Sequence, residues 1–483
     1  MGLPAETAAR GGFATNRFAE PRSGDGPSES ASSGADGSTP SSDRSDDVRL
    51  PDGTGTERRN LATLAAYTVA LRVSWIFKTE SVVMPALLDT LTAPLVGVGG
   101  TGGAGWVQGF LPLLNRAGQS VPPMLYADSL RDRPVKKWSV WATTLGMALP
   151  FALLAVLLWT LRERFAGTAA VAGFLALYGL FFAATGLNQL GFSTLQAKLI
   201  PPARRGRLIA AGGVLGSFAA VTVAYGFLAG WRAEGPASFA APFAATAAGM
   251  LLSSALVLFV REAPDEPAGN RGSRRFSVRG QARDAAAVLR SDGNFRRIAA
   301  VASLFVTAQL VFPHYIVLAR ESHGAGSLPL ILFVAAQNVG AGLFSVAVGW
   351  VADRRGNRLA VRGCLIGLAA LPPLALVLAR QEDPRLLAAL FFLLGLTPVA
   401  FKAVTNWTLE LTEPENHPRY VSTLKLCMAA PFLLAVPVGA LVDVAGHGPA
   451  FLGVSALVAA GCGLTWLAPE PRSFFTEPSP KRS

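Results

Sequence analysis

Twelve stretches of roughly 20 mostly apolar residues run through this 483-residue chain, each long enough to cross a hydrocarbon layer ~30 Å thick as a helix. They cover residues 61–88, 104–127, 138–160, 168–197, 208–231, 239–260, 297–320, 327–352, 359–380, 386–410, 422–444 and 449–467. Charged residues make up 15% of the chain, against about a quarter in soluble proteins, so a soluble fold has too little polar surface to cover these blocks. The expected class is an all-α integral membrane protein of twelve transmembrane helices.

The net charge of +12 sits in the turns between apolar blocks rather than on a soluble face, which argues against nucleic acid as a partner and for the lipid bilayer. The connections after spans 2, 4, 6, 8 and 10 carry 21 of the 43 Lys and Arg. By the positive-inside bias both termini are expected in the cytoplasm, in a multi-pass protein of the cell (inner) membrane. Residues 1–59 are rich in Ser, Gly, Asp and Pro and read as a disordered cytoplasmic tail with no secretory signal pattern. The remainder divides into a first six-helix bundle (60–260), a cytoplasmic interdomain loop (261–296), a second six-helix bundle (297–468) and a short cytoplasmic tail (469–483). In the middle loop, residues 277–297 mix basic residues with Val278, Ala282, Ala285 and Val288; this fits either a short helix on the cytoplasmic surface or a plain charged linker. Cys364, Cys427 and Cys462 lie in apolar blocks and read as buried small residues.

The two halves repeat each other. Asp132-Arg133 after span 2 and Asp353-Arg354 after span 8 are offset by 221 residues, and Arg207 after span 4 and Arg419 after span 10 by 212. The segment Gly349-Trp-Val-Ala-Asp353-Arg354-Arg355-Gly356-Asn357-Arg358 resembles the Gly-x-x-x-Asp-Arg-x-Gly-x-Arg signature of the major facilitator superfamily, and Arg205-Gly206-Arg207 resembles its Arg-Gly-Arg element. The first copy departs from the pattern at Asp128 and Val135, and the loop after span 10 has His417-Pro418-Arg419. The resemblance covers residues 60 to 470. It implies two pseudo-symmetric six-helix bundles and alternating access. It also implies a cytoplasmic charge latch built from Asp132, Arg133, Arg207, Gly349, Asp353, Arg354, Gly356, Arg358 and Arg419.

Ionisable and amide side chains within spans are costly in lipid and normally face an interior path. In span 1, Arg72, Thr79 and Glu80 fall within one helical arc, with Lys78 pointing elsewhere; Arg72 and Glu80 could share a cavity or simply neutralise each other. Span 2 carries Gln108, Pro112, Asn115 and Gln119 on one face, with Arg116 beside them. Lys402, Asn406 and Glu410 share a face of span 10. Asn188, Gln309, His314 and Asn338 offer further hydrogen bonds to a polar ligand. The small residues Gly212, Gly216, Ala220 and Ala224 of span 5 are expected to serve helix packing.

The leading function is a secondary active transporter of a small polar solute. The excess of Arg72, Lys78, Arg116 and Lys402 over Glu80 favours an anionic or zwitterionic one. Glu80 is the carboxylate expected to carry a proton if a proton, rather than sodium, is coupled. A nucleotide-binding glycine loop and metal-ligand spacing are both missing from the sequence, so no cofactor or metal, and no enzyme activity, is expected. A receptor of transporter shape without flux is the alternative, and a membrane-embedded enzyme a weaker one. A monomer is expected.

Overall fold

The structure is a computed structural model that describes residues 53–95, 104–228, 230–265, 278–468 and 470. Every apolar block becomes helix. The first span is α1 (Gly53–Ile76) and α2 (Val83–Thr92), the second α3 (Gly105–Gln108) and α4 (Phe110–Asp132). α5 (Lys137–Leu161), α6 (Thr168–Leu199), α7 (Pro202–Leu228) and α8 (Ala240–Leu258) complete the first half. After α9 (Val278–Ser291) the second half runs through α10 (Gly293–Val306) with α11 (Phe312–His323), α12 (Leu330–Arg355), α13 (Asn357–Leu378), α14 (Ala388–Leu394) with α15 (Leu396–Glu410), α16 (His417–Ala429) with α17 (Ala435–Ala445), and α18 (His447–Leu464).

Among the described residues nine helices are long and apolar enough to cross a membrane. The three expected spans that fall short are the first, second and fifth. The first is broken over residues 77–82, the second carries the amide stripe, and the fifth counts as apolar only over Val214–Leu228. Each still packs among the others: α1 against α7 and α8, α4 against α6, α5 against α6 and α8, and in the second half α13 against α18 and α15.

Two boundaries differ from the sequence reading. Residues 53–59, expected in the tail, are the first turns of α1; residues 1–52 lie outside the described residues, as do 469 and 471–483. In the middle segment, α9 buries Ala285 and Val288 against α10 and α16, so its apolar stripe covers protein rather than lipid. The junction is fixed by Asp292, whose carboxylate accepts from the N–H groups of Asn294 and Phe295 and from the Tyr420 hydroxyl (3.0 Å), capping α10.

Small residues set the approach of α7 to α1, as expected for that stripe: Gly212 lies against Thr68 and Gly216 against Arg72, while Ala220 and Ala224 are buried. A tight contact between the halves lies on the face away from residues 53 and 468. There the carbonyls of Gly105 and Gly439 occupy the space a Cβ on the other glycine would need. Asp443 accepts from the N–H groups of Gly105 (2.6 Å) and Trp106 (2.8 Å), at the start of α3. Arg320 Nε meets Asp89 Oδ2 at 2.8 Å, and its other nitrogens donate to the Thr90 hydroxyl and the Ala233 carbonyl. These contacts close that face. Gly439→Val is therefore expected to prise it open: a cysteine at Leu111, 1% exposed on the wall of the central cavity, should gain reactivity toward an impermeant thiol reagent applied from that face. Unchanged labelling would show that the glycine contact does not hold the face shut.

Candidate functional site

The break in the first span organises the interior. At residues 77–82 the chain leaves the helix, and the side chain of Lys78 swings back onto Glu80, Nζ to Oε1 2.6 Å. Lys78 is fully buried and its ammonium lies 3.4 Å from the Trp75 ring centre, with Phe181 and Phe182 also within reach. Glu80 is therefore neutralised by Lys78 rather than by Arg72, while Arg72 and Glu80 line one cavity. On a continuous helix Lys78 would point away from Glu80; the break turns the two toward each other.

From Glu80 the polar contacts continue along the span-2 stripe. Asn115 donates to the other Glu80 oxygen, Gln119 donates to Asn115, and Gln189 of α6 donates to Gln119 at 2.9 Å. This chain borders a cavity of ≈ 510 Å³ between the halves. From the first half it is lined by Glu80, Asn115, Arg116 and Gln119 with Trp75 and Tyr178, and from the second by Gln309, Gln337 and Thr397 with Phe312, Phe401 and Phe432. Ser81 donates to Gln337 Oε1 at 2.5 Å across the gap.

Arg116 is the cation on this wall. Its Nη2 donates to the Lys425 carbonyl at 3.2 Å, its guanidinium lies 6.0 and 5.7 Å from the Phe401 and Phe432 rings, and its Nε is buried without a partner. Gln309 Nε2 and Thr397 Oγ1, also from wall residues, are buried and unpartnered.

A smaller cavity of ≈ 200 Å³ shares Trp75, Thr79, Glu80, Gln337 and Pro398 with the first and brings in Arg72 and Asn338. Lys402 and Asn406 are exposed and line neither cavity. On α15 they follow Pro398 at four-residue steps, which sets them on the cavity-facing side, one and two turns toward the face bearing the termini.

Three further expected wall residues are elsewhere. Asn188 is consumed inside the first half, accepting from Tyr67 (2.9 Å) and donating to Thr144 (2.7 Å). Gln108 is buried and donates to the Pro85 carbonyl (3.0 Å) at the start of α2. His314 is fully buried, one residue off the wall, with its ring 6.4 Å from that of His447.

Residues 319–483 match the model of the Major Facilitator Superfamily. A solved D-xylose-proton symporter superposes with a TM-score of 0.63 at 16% identity, over 85% of this chain and 98% of that one. A POT family transporter in complex with 5-aminolevulinic acid gives 0.59 at 14%, over 85% and 95%. The human organic anion transporter MFSD10 gives 0.51 at 18%, over 85% and 99%. No curated protein sequence matches the chain. The second half of the chain thus matches the Major Facilitator Superfamily, and the whole shares the fold of these transporters.

Several of the signature residues have partners within their own half. Arg358 Nη1 donates to the Ala468 carbonyl (3.1 Å) and its Nε lies 3.6 Å from Glu470. Gly356 has φ +92° and packs on the Glu470 carboxylate, where a Cβ would collide. Arg354 lies over the Trp350 ring and Arg133 over the Tyr126 ring. Asp353 and Arg419 are exposed and Gly349 is half-buried. The side chains of Asp132 and Arg207 lie outside the described residues. Other residues join the halves on the opposite face. These are Asp89, Arg320 and Asp443, none of which the sequence singles out.

Proposed function

We propose that this protein is a secondary transporter that carries small organic anions by alternating access through the cavity around Arg116. The observation that carries the reading is the Arg116 guanidinium on the wall. It has no carboxylate partner among the described residues, whereas Glu80 is already paired with Lys78. A desolvated cation with open donors favours a carboxylate or phosphate, and its planar fork suits both. The aromatic side chains around it match an organic body, and Arg72, Lys402 and Asn406 extend the cationic and polar lining toward the terminal face.

Energy comes from a coupled ion in this scheme, with Glu80 as the proton carrier: protonation would release Lys78 and Asn115 and loosen the break in the first span. The signature residues Asp132, Arg133, Arg207, Gly349, Asp353, Arg354, Gly356, Arg358 and Arg419 then form the latch of the alternate conformation. The terminal face is cytoplasmic by its basic loops, and the monomer is the working unit.

A second reading, a neutral sugar-like solute, is favoured by the unpartnered Gln309 and Thr397 groups and by the symporter that shares the fold. Counterflow into proteoliposomes decides between them. The expected result is exchange of labelled carboxylates or phosphorylated sugars, with little exchange of neutral sugars. Exchange of neutral sugars alone would transfer the assignment to the second reading, and saturable binding without any flux would make the protein a receptor.

A further inference from the structure

A second cationic cavity lies away from the transport path, at the terminal-face end of the first, third and sixth spans. It is an open recess of ≈ 570 Å³ lined by Arg59, Lys137 and Arg261 together with Leu258, Phe259 and Glu262. We propose that it is a binding site for the phosphate headgroup of an anionic phospholipid.

Its cations are held in place by the backbone around them. Asn60 clasps Arg261 through two hydrogen bonds, its amide donating to the Arg261 carbonyl (2.8 Å) and its carbonyl accepting from the Arg261 N–H (2.9 Å). This clasp fixes Arg261 beside Arg59, the neighbour of Asn60. Lys137 Nζ donates to the Val260 carbonyl at 3.0 Å, leaving further donors of its ammonium.

The nearby acids are already engaged. The Glu262 carboxylate is fully buried; it accepts from the N–H groups of Lys136 and Lys137 at the start of α5 and pairs with Lys198 at 2.7 Å. Asp265 pairs with Lys198 (2.8 Å) and Lys136 (3.6 Å), and the hydrogen bond from Lys198 holds its carboxyl below its ordinary value. Among the described residues no carboxylate pairs with the Arg59 or Arg261 side chain, so the cavity carries excess positive charge.

The apolar surroundings identify the source of the phosphate. Leu258 and Phe259 are 45% and 60% exposed, and Trp138, whose ring lies 5.2 Å from the Lys137 ammonium, is 49% exposed. Exposed aromatic and aliphatic side chains beside a basic cavity at the end of spanning helices mark the depth at which headgroups meet acyl chains. A free phosphate would use the cations and leave this surface without a partner.

The test is lipid binding to the full-length, delipidated protein in detergent, followed by native mass spectrometry during titration with phosphatidylglycerol or phosphatidylcholine, with inorganic phosphate as competitor. Wild type should take up phosphatidylglycerol saturably and in preference to phosphatidylcholine, undisturbed by millimolar phosphate. Arg59→Gln/Arg261→Gln should weaken phosphatidylglycerol binding roughly 30-fold, the loss expected for two cations near a membrane surface. Arg380→Gln/Arg385→Gln, on the opposite face, should not. Equal affinity for the two lipids in wild type, or an undiminished affinity in the Arg59/Arg261 variant, overturns the proposal. Displacement by inorganic phosphate reassigns the site to a soluble anion and overturns the lipid claim. The wild-type titration stands alone if the variant fails to fold.

Discussion

Replacing Arg116 by alanine is expected to abolish concentrative uptake of the anionic solute and to raise its apparent KM at least ~30-fold. That follows from removing one partner of a desolvated charge pair, which costs about 2–5 kcal/mol. Arg116→Lys keeps the charge but loses the planar fork, so its affinity should fall between wild type and Arg116→Ala. Arg116→Ala should leave thermal stability close to wild type, because the guanidinium's protein contacts are one carbonyl bond and two aromatic rings at long range. Solute-dependent thermal stabilisation measured with all three proteins checks this. Equal stabilisation of wild type and Arg116→Ala by carboxylates would remove Arg116 from the binding site.

The second large effect concerns the pair at the span-1 break. Lys78→Met removes a cation that is wholly buried between Trp75, Phe181 and Phe182 and leaves Glu80 with Asn115. Glu80→Gln leaves the buried ammonium with its rings and no counter-charge. Breaking a buried pair from one side costs roughly 3–5 kcal/mol, whereas removing both charges together is often neutral. Each single variant should therefore melt well below wild type, and Lys78→Met/Glu80→Gln should recover most of the loss. Glu80→Gln and the double variant should also lose pH-gradient-driven uptake while keeping solute exchange, because exchange needs no net proton movement. A double variant that still accumulates solute with the pH gradient would take the proton away from Glu80.

The apolar blocks were readable because hydrocarbon demands them, and all twelve became helix. The span-2 stripe was readable for the converse reason: Asn115, Arg116 and Gln119 are too costly to face lipid, and they do line the cavity. What was hidden depends on departures from helical regularity or on partners far along the chain. No periodicity announces the break at residues 77–82, so Lys78 was projected away from Glu80. Asn188 read as a candidate ligand group because its partners Tyr67 and Thr144 are 121 and 44 residues distant. The aromatic wall was silent, since Trp75, Phe312, Phe401 and Phe432 look the same in sequence whether they face lipid, core or cavity. Asp89 and Arg320 lie at span ends, where charge ordinarily means nothing more than contact with water. Joining them across the halves took tertiary structure.

Spin-label distances across both faces test the central claim, that a cation-lined cavity opens to one side as it closes to the other. With Cys364, Cys427 and Cys462 replaced, one label pair at Arg164→Cys and Gln381→Cys reports on the face closed here. A second pair at Pro201→Cys and Glu413→Cys reports on the terminal face. As pH and transported solute are varied, the account predicts that the first distance lengthens when the second shortens. Distances that stay fixed, or that change in the same direction, while the protein carries solute would contradict it.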